Sequence, residues 1–373
     1  MAKKIAIIVG TRPNFIKITQ FDKVFRQYGD AFDYRLIHTG QHYDKNMSEV
    51  FFEQLGIKQP DLFLNIQGMS AGGQIGNIID KLTDYFLSWQ PDLVIVVGDV
   101  NSTLAAAIAA NKTGCCLAHL ESGLRSNDRG MPEEINRMLT DMITDHYFVT
   151  EQSGLENLQQ EPDKVGKIHF VGNTMIDTLV AFDKEIDQSG ILEELKVVGG
   201  SYALMTMHRP ATVDSREGLL KMLQVIEYIT KKDKVVFPIH PRTKNNLIRE
   251  ELMERLLSNK RVVLRPPLDY LSFQKLIKYA KFVITDSGGI QEETTFRQVP
   301  CITLRPNTER PSTITTGSNI LAPFDIEFLA KQITAIQEGS FKKGQIPPLW
   351  DGKATERIVE NICQLFKMDV LIH

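Results

Sequence analysis

Short, mainly apolar runs recur along the whole chain, most of them closed by Gly, His or a charged residue. "KIAIIVG" (4–10) and "LVIVVGD" (93–99) are typical. A strand with no polar alternation has no face to give to water, so it belongs in a sheet covered on both sides. Between the runs lie helix-like stretches such as "AGGQIGNIIDKLTDYFLSW" (71–89) and "STLAAAIAANK" (102–112). Strand–helix alternation of this kind predicts a parallel α/β sheet.

The pattern occurs twice. "YRLIHTG", "CCLAHLE", "HYFVT" and "IHFVG" complete the first series; "YALMTMH", "KVVFPIH", "RVVLRP", "FVITD" and "CITLR" make a second, with helices expected around 216–231, 244–258 and 270–280. The polar, Gly-containing "KEIDQSGILEELKVVGGS" between them reads as a junction. The expectation is two Rossmann-like doubly wound domains, 1–175 and 176–353, with a last amphipathic segment (354–373) packing back on the first.

A net charge of −3 leaves no electrostatic footprint for nucleic acid or an anionic membrane. No run is long enough to span a bilayer, and "MAKKIAIIVGTRPN" lacks the features of a secretory signal. The four cysteines form no CxxC pair, and adjacent Cys115 and Cys116 read as buried, reduced thiols. These features predict a cytoplasmic protein without a cysteine metal site.

In open parallel sheets, ligands bind beyond the carboxyl ends of the strands. Here those ends read "GTRPNFIK", "HTGQH", "GDVNST" and "HLESGLRSNDRGMPEEINR" in the first series, and "HRP", "HPRT", "DSGG" and "LRPNTERP" in the second. Two such edges facing each other would frame an interdomain cleft. In "TDSGGIQEE", Gly288 and Gly289 allow close backbone approach at a helix start, where free N–H groups suit a phosphate and Ser287 adds a hydroxyl. A Ser N-cap with a tight turn is the other reading. No Lys follows as in a P-loop, so Arg12, Lys17, His208, Arg209 and Arg310 are the candidate cations, each equally readable as a surface charge. Glu293 is placed to accept from a ribose diol, whereas helix-dipole complementation also accounts for Glu292 and Glu293. Asp99 reads as a helix cap or an acid, Glu121 as an acid that capping explains poorly, and Glu133 and Glu134 as first-turn residues or acids. Three carboxylates at one sheet edge would raise the pKa of at least one, which suits general acid/base chemistry.

Taken together, "GTRPNFIK", "HTGQH", "VVGDVNST", "HLESGLRS", "PEEINR", "MHRP", "TDSGGIQEE" and "TERP" resemble the non-hydrolysing UDP-N-acetylglucosamine 2-epimerases, in family order over nearly the whole chain. The resemblance implies the GT-B fold, a homodimer with the active site in the cleft, and no nicotinamide or metal cofactor. The implied reaction eliminates UDP to a 2-acetamidoglucal and re-adds it after protonation of C2 on the opposite face, supplying ManNAc-type sugars for surface polysaccharides. Asp99 and Glu133 would transfer protons at C2, and Glu121 would support the oxocarbenium-like transition state. His208, with Arg12, Lys17, Ser287, Gly288, Gly289 and Arg310, would hold the diphosphate; Glu293 would bind ribose and Phe273 uracil.

Three departures from the family pattern stand out: Asn14 for Glu in "GTRPE", Pro210 in "HRPATVD" where the family reads HRRE, and no Arg in "IQGMSAGG". Those Arg positions help hold a second, activating UDP-GlcNAc, although Gln41 and His240 of that site are retained. The departures put substrate activation in question and are compatible with a modified sugar such as a diacetamido uronic acid. A UDP-dependent glycosyltransferase, a hydrolysing epimerase and a non-catalytic nucleotide-sugar sensor are the alternatives. A Rossmann dehydrogenase is disfavoured because "VGTRPN" lacks GxGxxG spacing.

Overall fold

A computed structural model describes residues 1–40, 52, 54–66, 68–161 and 166–368. The chain divides into two compact units, Met1–Ala181 with Pro348–His373, and Phe182–Pro347.

The first unit holds a parallel sheet in the order β3-β2-β1-β4-β5-β6-β7. Its strands are β1 (Lys3–Val9), β2 (Phe32–His38), β3 (Leu62–Phe63), β4 (Leu93–Val97), β5 (Cys116–Leu120), β6 (His146–Val149) and β7 (Lys167–Phe170). Every residue of β4 is buried, as are Ile5 to Val9 of β1. Each large aliphatic side chain so removed from water contributes about 2 kcal/mol. The Ala-rich helix Asn101–Thr113 buries Ala105, Ala106, Ala107, Ala109 and Ala110 against this sheet. The order reverses direction at β1 and β4, so the loops after these strands diverge and leave room for a ligand.

The closing helix, Ala354–Leu365, is anchored to this unit through its N-terminus. Asp177 accepts from the backbone N–H groups of Ala354 (3.0 Å) and Thr355 (2.6 Å), and Trp350 Nε1 donates to the Thr150 carbonyl at 3.0 Å.

The second unit holds the parallel order β10-β9-β8-β11-β12-β13. Its strands are β8 (Tyr202–Thr206), β9 (Lys234–Pro238), β10 (Val262–Arg265), β11 (Phe282–Thr285), β12 (Cys301–Thr303) and β13 (Asn319–Leu321). Pleating sends alternate residues to opposite faces. Ala203, Met205, Val235, Phe237, Phe282 and Ile284 enter one core, while Tyr202, Leu204, Val236, Val283 and Cys301 enter the other.

Two expectations require correction. The helix expected over 244–258 is two, Pro241–Arg249 and Met253–Leu257, because Glu251 takes a left-handed backbone (φ 57°) that ends the first. Cys115 and Cys116 are half-buried instead of buried, although burial still pushes the Cys116 thiol up to about 11. Among the described residues, no helix is long and apolar enough to cross a membrane, and no cluster of three or more His, Cys, Asp or Glu is arranged to hold a metal ion.

Candidate functional site

The first unit gathers its polar residues after β1, β4 and β5. Beyond β1, Thr11 precedes the helix Arg12–Ile18, which leaves Arg12 exposed in its first turn and buries Asn14 and Lys17. Asn14 organises this turn: its Oδ1 accepts from the backbone N–H groups of Gly10 (3.2 Å) and Thr11 (3.1 Å), and its Nδ2 donates to the Val97 carbonyl at 3.2 Å. A carboxylate there could not make that last donation.

Lys17 forms a buried ion pair with Glu121 Oε2. Glu121 follows β5 with a left-handed backbone (φ 71°), a conformation that costs a non-glycine residue of order 1 kcal/mol and is typical of functional positions. Its other oxygen, Oε1, is buried with no hydrogen-bond partner among the described residues. Such an oxygen is costly unless something outside the chain uses it.

Asp99 does not cap the following helix, whose N-cap is Val100. Its Oδ2 accepts from Arg137 Nη2 at 2.6 Å, and its carboxylate stays a quarter exposed. Arg137 is buried and also pairs with Glu134, so it serves two acids at once. Glu134 in turn accepts from the N–H groups of Ser126 and Asn127, both at 2.9 Å, which makes it the structural member of "PEEINR". Glu133, one residue earlier in the helix Pro132–Met142, is exposed. Lys17 and Arg137 thus offset the mutual repulsion expected of these acids, since Glu121 and Asp99 each have a cation.

The second unit shows a comparable edge beyond β8 and β11. Asp286 is fully buried and accepts at Oδ2 from the His208 N–H (2.9 Å), the Arg209 N–H (2.8 Å) and the Thr212 hydroxyl (2.6 Å). Its Oδ1 lies 2.9 Å from His208 Nδ1. Burial opposes ionisation of Asp286, but His208 and these donors outweigh it and hold its pKa down to about 2. His208 is therefore oriented by a carboxylate, with its side chain two-fifths exposed. Pro210 occupies the first position of the short helix Pro210–Val213, where no N–H is needed.

The Ser-Gly-Gly turn leads into the helix Gly289–Arg297, whose N-cap is Gly288 and which has no side-chain cap. The Ser N-cap reading therefore fails: Ser287 uses its backbone N–H on Thr285 Oγ1 at 3.0 Å and leaves the helix N–H groups uncovered by a side chain. A side-chain carbon at Gly288 would lie 3.0 Å from Glu309 Oε1 and 3.2 Å from Arg310 Nη1. Arg310 pairs with Glu309 and, at 2.8 Å through Nε, with the buried Glu292; Arg305 joins Glu309 at 3.0 Å. The cation expected in "TERP" thus lies under the glycine turn, its charge already balanced.

Glu293 is buried on the same helix. Loss of water pushes its pKa up to about 8, with Glu292 adding to the shift and Gln274 and Arg297 only partly opposing it. Phe273, on the helix Tyr270–Tyr279, is half-buried against the nearby core. His240 caps the helix Pro241–Arg249 by accepting the Arg242 N–H at 3.1 Å, and its ring centroid stands 5.5 Å from that of His208. Burial and the neighbouring His208 lower its pKa. Gln41 lies outside the described residues.

Residues 26–363 match the family described as UDP-N-acetylglucosamine 2-epimerase. The chain belongs to the UDP-N-acetylglucosamine 2-epimerase family. A relative in that family, UDP-N-acetylglucosamine 2-epimerase of Methanocaldococcus jannaschii, is 40% identical over 95% of this chain and 98% of its own length. UDP-2,3-diacetamido-2,3-dideoxy-D-glucuronate 2-epimerase of Pseudomonas aeruginosa is 36% identical over 97% of this chain and 100% of its own. The crystal structure of the M. jannaschii UDP-GlcNAc 2-epimerase in complex with UDP-GlcNAc and UDP is similar with a TM-score of 0.87 and 39% identity, covering 97% of this chain and 99% of that one. The fold of this epimerase-family chain is accordingly GT-B, built of two Rossmann-like α/β units.

Sequence reasoning passed over several groups that organise these edges. Arg137 and Asp286 touch the candidates Asp99 and His208 directly, while His119 and Asp141 bond the backbone of Gly98 and Gly123 on either side of Asp99 and Glu121. Arg137 was legible in principle, since three residues past Glu134 is one helical turn. The Asp286 contact joins strands 78 residues apart, and nothing local announces it.

Proposed function

We propose that the chain is an isomerase that interconverts UDP-N-acetylglucosamine and UDP-N-acetylmannosamine without metal or nicotinamide. The observation that carries this reading is Glu121, a buried carboxylate in a left-handed conformation with one oxygen unpartnered, at a strand edge in a member of this family. The second unit takes the nucleotide. The uncapped N-terminus after Ser287, Gly288 and Gly289 receives diphosphate oxygens, with His208 and Arg310 as the cations of that unit that support it. Glu293 reads the ribose and Phe273 the uracil.

The first unit handles the sugar. Removal of the C2 proton and cleavage of the anomeric C–O bond release UDP and leave a C1–C2 double bond, a 2-acetamidoglucal. UDP then returns to C1 as a proton is delivered to the other face of C2. Asp99 and Glu133 are the groups that exchange protons with C2, and Glu121 steadies positive charge developing at C1. The ionised Asp286 lies against His208 Nδ1 and keeps its ring fixed while UDP departs. A homodimer and a role in supplying sugars for surface polysaccharide complete the proposal.

A second substrate has support of its own: the 36% identical relative from P. aeruginosa is named for a diacetamido glucuronate, and the segment "HRPATVD" with Pro210 is compatible with a modified sugar. Proton NMR in deuterated water with each UDP-sugar separates the cases. Deuterium entering C2 of UDP-GlcNAc, with UDP-ManNAc formed, supports the first; exchange only in the diacetamido sugar supports the second. Stoichiometric free UDP would mean a hydrolysing enzyme, and absence of exchange in either sugar would overturn the epimerase reading.

A further inference from the structure

The loops that carry Asp99 and Glu121 are joined by a side chain with no role so far. His119 is the last residue but one of β5 and is wholly buried. Its Nδ1 lies 2.7 Å from Asp141 Oδ1, and its Nε2 lies 2.8 Å from the carbonyl oxygen of Gly98. A backbone carbonyl only accepts. Asp141 accepts too: its Oδ2 receives Arg125 Nη1 at 2.6 Å and the Gly123 N–H at 3.1 Å. Neutral imidazole has one N–H, so a ring that donates at both nitrogens is imidazolium.

The acceptors are what give this charge a purpose. Gly98 has a left-handed backbone (φ 70°), and a carbon placed on it would stand 3.2 Å from Lys17 Nζ, 3.3 Å from Asn14 Nδ2 and 3.4 Å from Glu121 Oε2. The Gly98 peptide is therefore held between His119 on its carbonyl and the Lys17–Glu121 pair on its Cα, and Asp99 is the next residue. On the other side, Asp141 holds the Gly123 N–H of the turn that begins with Glu121. The charged groups about the ring are Asp141 with Arg125 from one side, and Lys17 with Glu121 across Gly98.

We propose that His119 is a positioning residue for the epimerase reaction, a buried imidazolium that bridges Gly98 and Asp141 and so fixes Asp99 and Glu121 relative to each other. The inference rests on the epimerase reading above. A histidine that only satisfied the core would change stability and leave turnover per folded molecule alone. A positioning residue changes kcat and spares binding.

Two measurements test it. Nitrogen-15 NMR of the wild-type protein labelled at histidine should show one ring carrying protons at both nitrogens, with slowly exchanging ring protons. A neutral, singly protonated His119 overturns the bridge, and this reading does not depend on any variant folding. His119→Gln can donate to only one acceptor, so kcat should fall by about 30-fold or more while KM for the UDP-sugar stays within about threefold. Unchanged kcat in folded His119→Gln, with wild type still exchanging the C2 proton, overturns the positioning role and leaves the epimerase reading intact. Wild type without C2 exchange in either sugar defeats the epimerase reading and the positioning role with it, while the NMR still decides whether the charged bridge exists.

Discussion

Replacing Glu293 with Gln should stabilise the protein at alkaline pH. The wild-type carboxyl has lost its water, and the opposing Gln274 hydrogen bond and Arg297 charge do not compensate, so its pKa stands at about 8, well above the ordinary glutamate value of 4.5. An acid whose folded pKa is raised holds a proton that the unfolded chain has released, so unfolding becomes easier as pH rises from the unfolded value through the folded one. Each pH unit in that window costs about 1.4 kcal/mol, so between about pH 5 and about pH 9 the wild type should lose roughly 4 kcal/mol that Glu293→Gln, neutral throughout, does not. Urea unfolding followed by circular dichroism at both pH values gives the two differences directly. Parallel pH profiles for wild type and variant would show that Glu293 is ionised at neutral pH in the fold, and the burial argument would be refuted.

Other perturbations follow from the same contacts. Glu121→Gln keeps the volume and removes the charge paired with Lys17, so kcat should fall about 100-fold or more in the C2 exchange assay, with UDP affinity changed little. Asn14→Asp exchanges the donor to the Val97 carbonyl for an acceptor, and chemical denaturation should register a loss of about 2 kcal/mol. Gly288→Ala places a carbon against Glu309 and Arg310; calorimetric titration should show UDP binding about tenfold weaker, and unchanged affinity would remove the turn from the binding site.

Much of the fold was legible because a strand buried on both faces is marked by its own composition. The eleven apolar runs quoted from the sequence each overlap a strand of the two sheets. The strands that were missed, Leu62–Phe63 and Asn319–Leu321, are edge strands too short to carry a pattern, and they form because a neighbour offers its free backbone groups. Placement of the candidate residues at strand ends was legible for the same reason, since the end of an apolar run is visible in the chain.

The sequence by itself therefore determined two parallel α/β sheets and the strand ends where polar chemistry is concentrated, since both follow from local pattern. Tertiary structure decided the partners. Which cation meets which acid depends on distances between loops far apart in the chain: Lys17 and Glu121 are separated by 104 positions, and Asp99 and Arg137 by 38. Burial, also a property of the assembled fold, made Glu293 a weak acid, whereas His208 and the donors gathered on Asp286 outweigh burial and make it a strong one, although each lies in the same short motif.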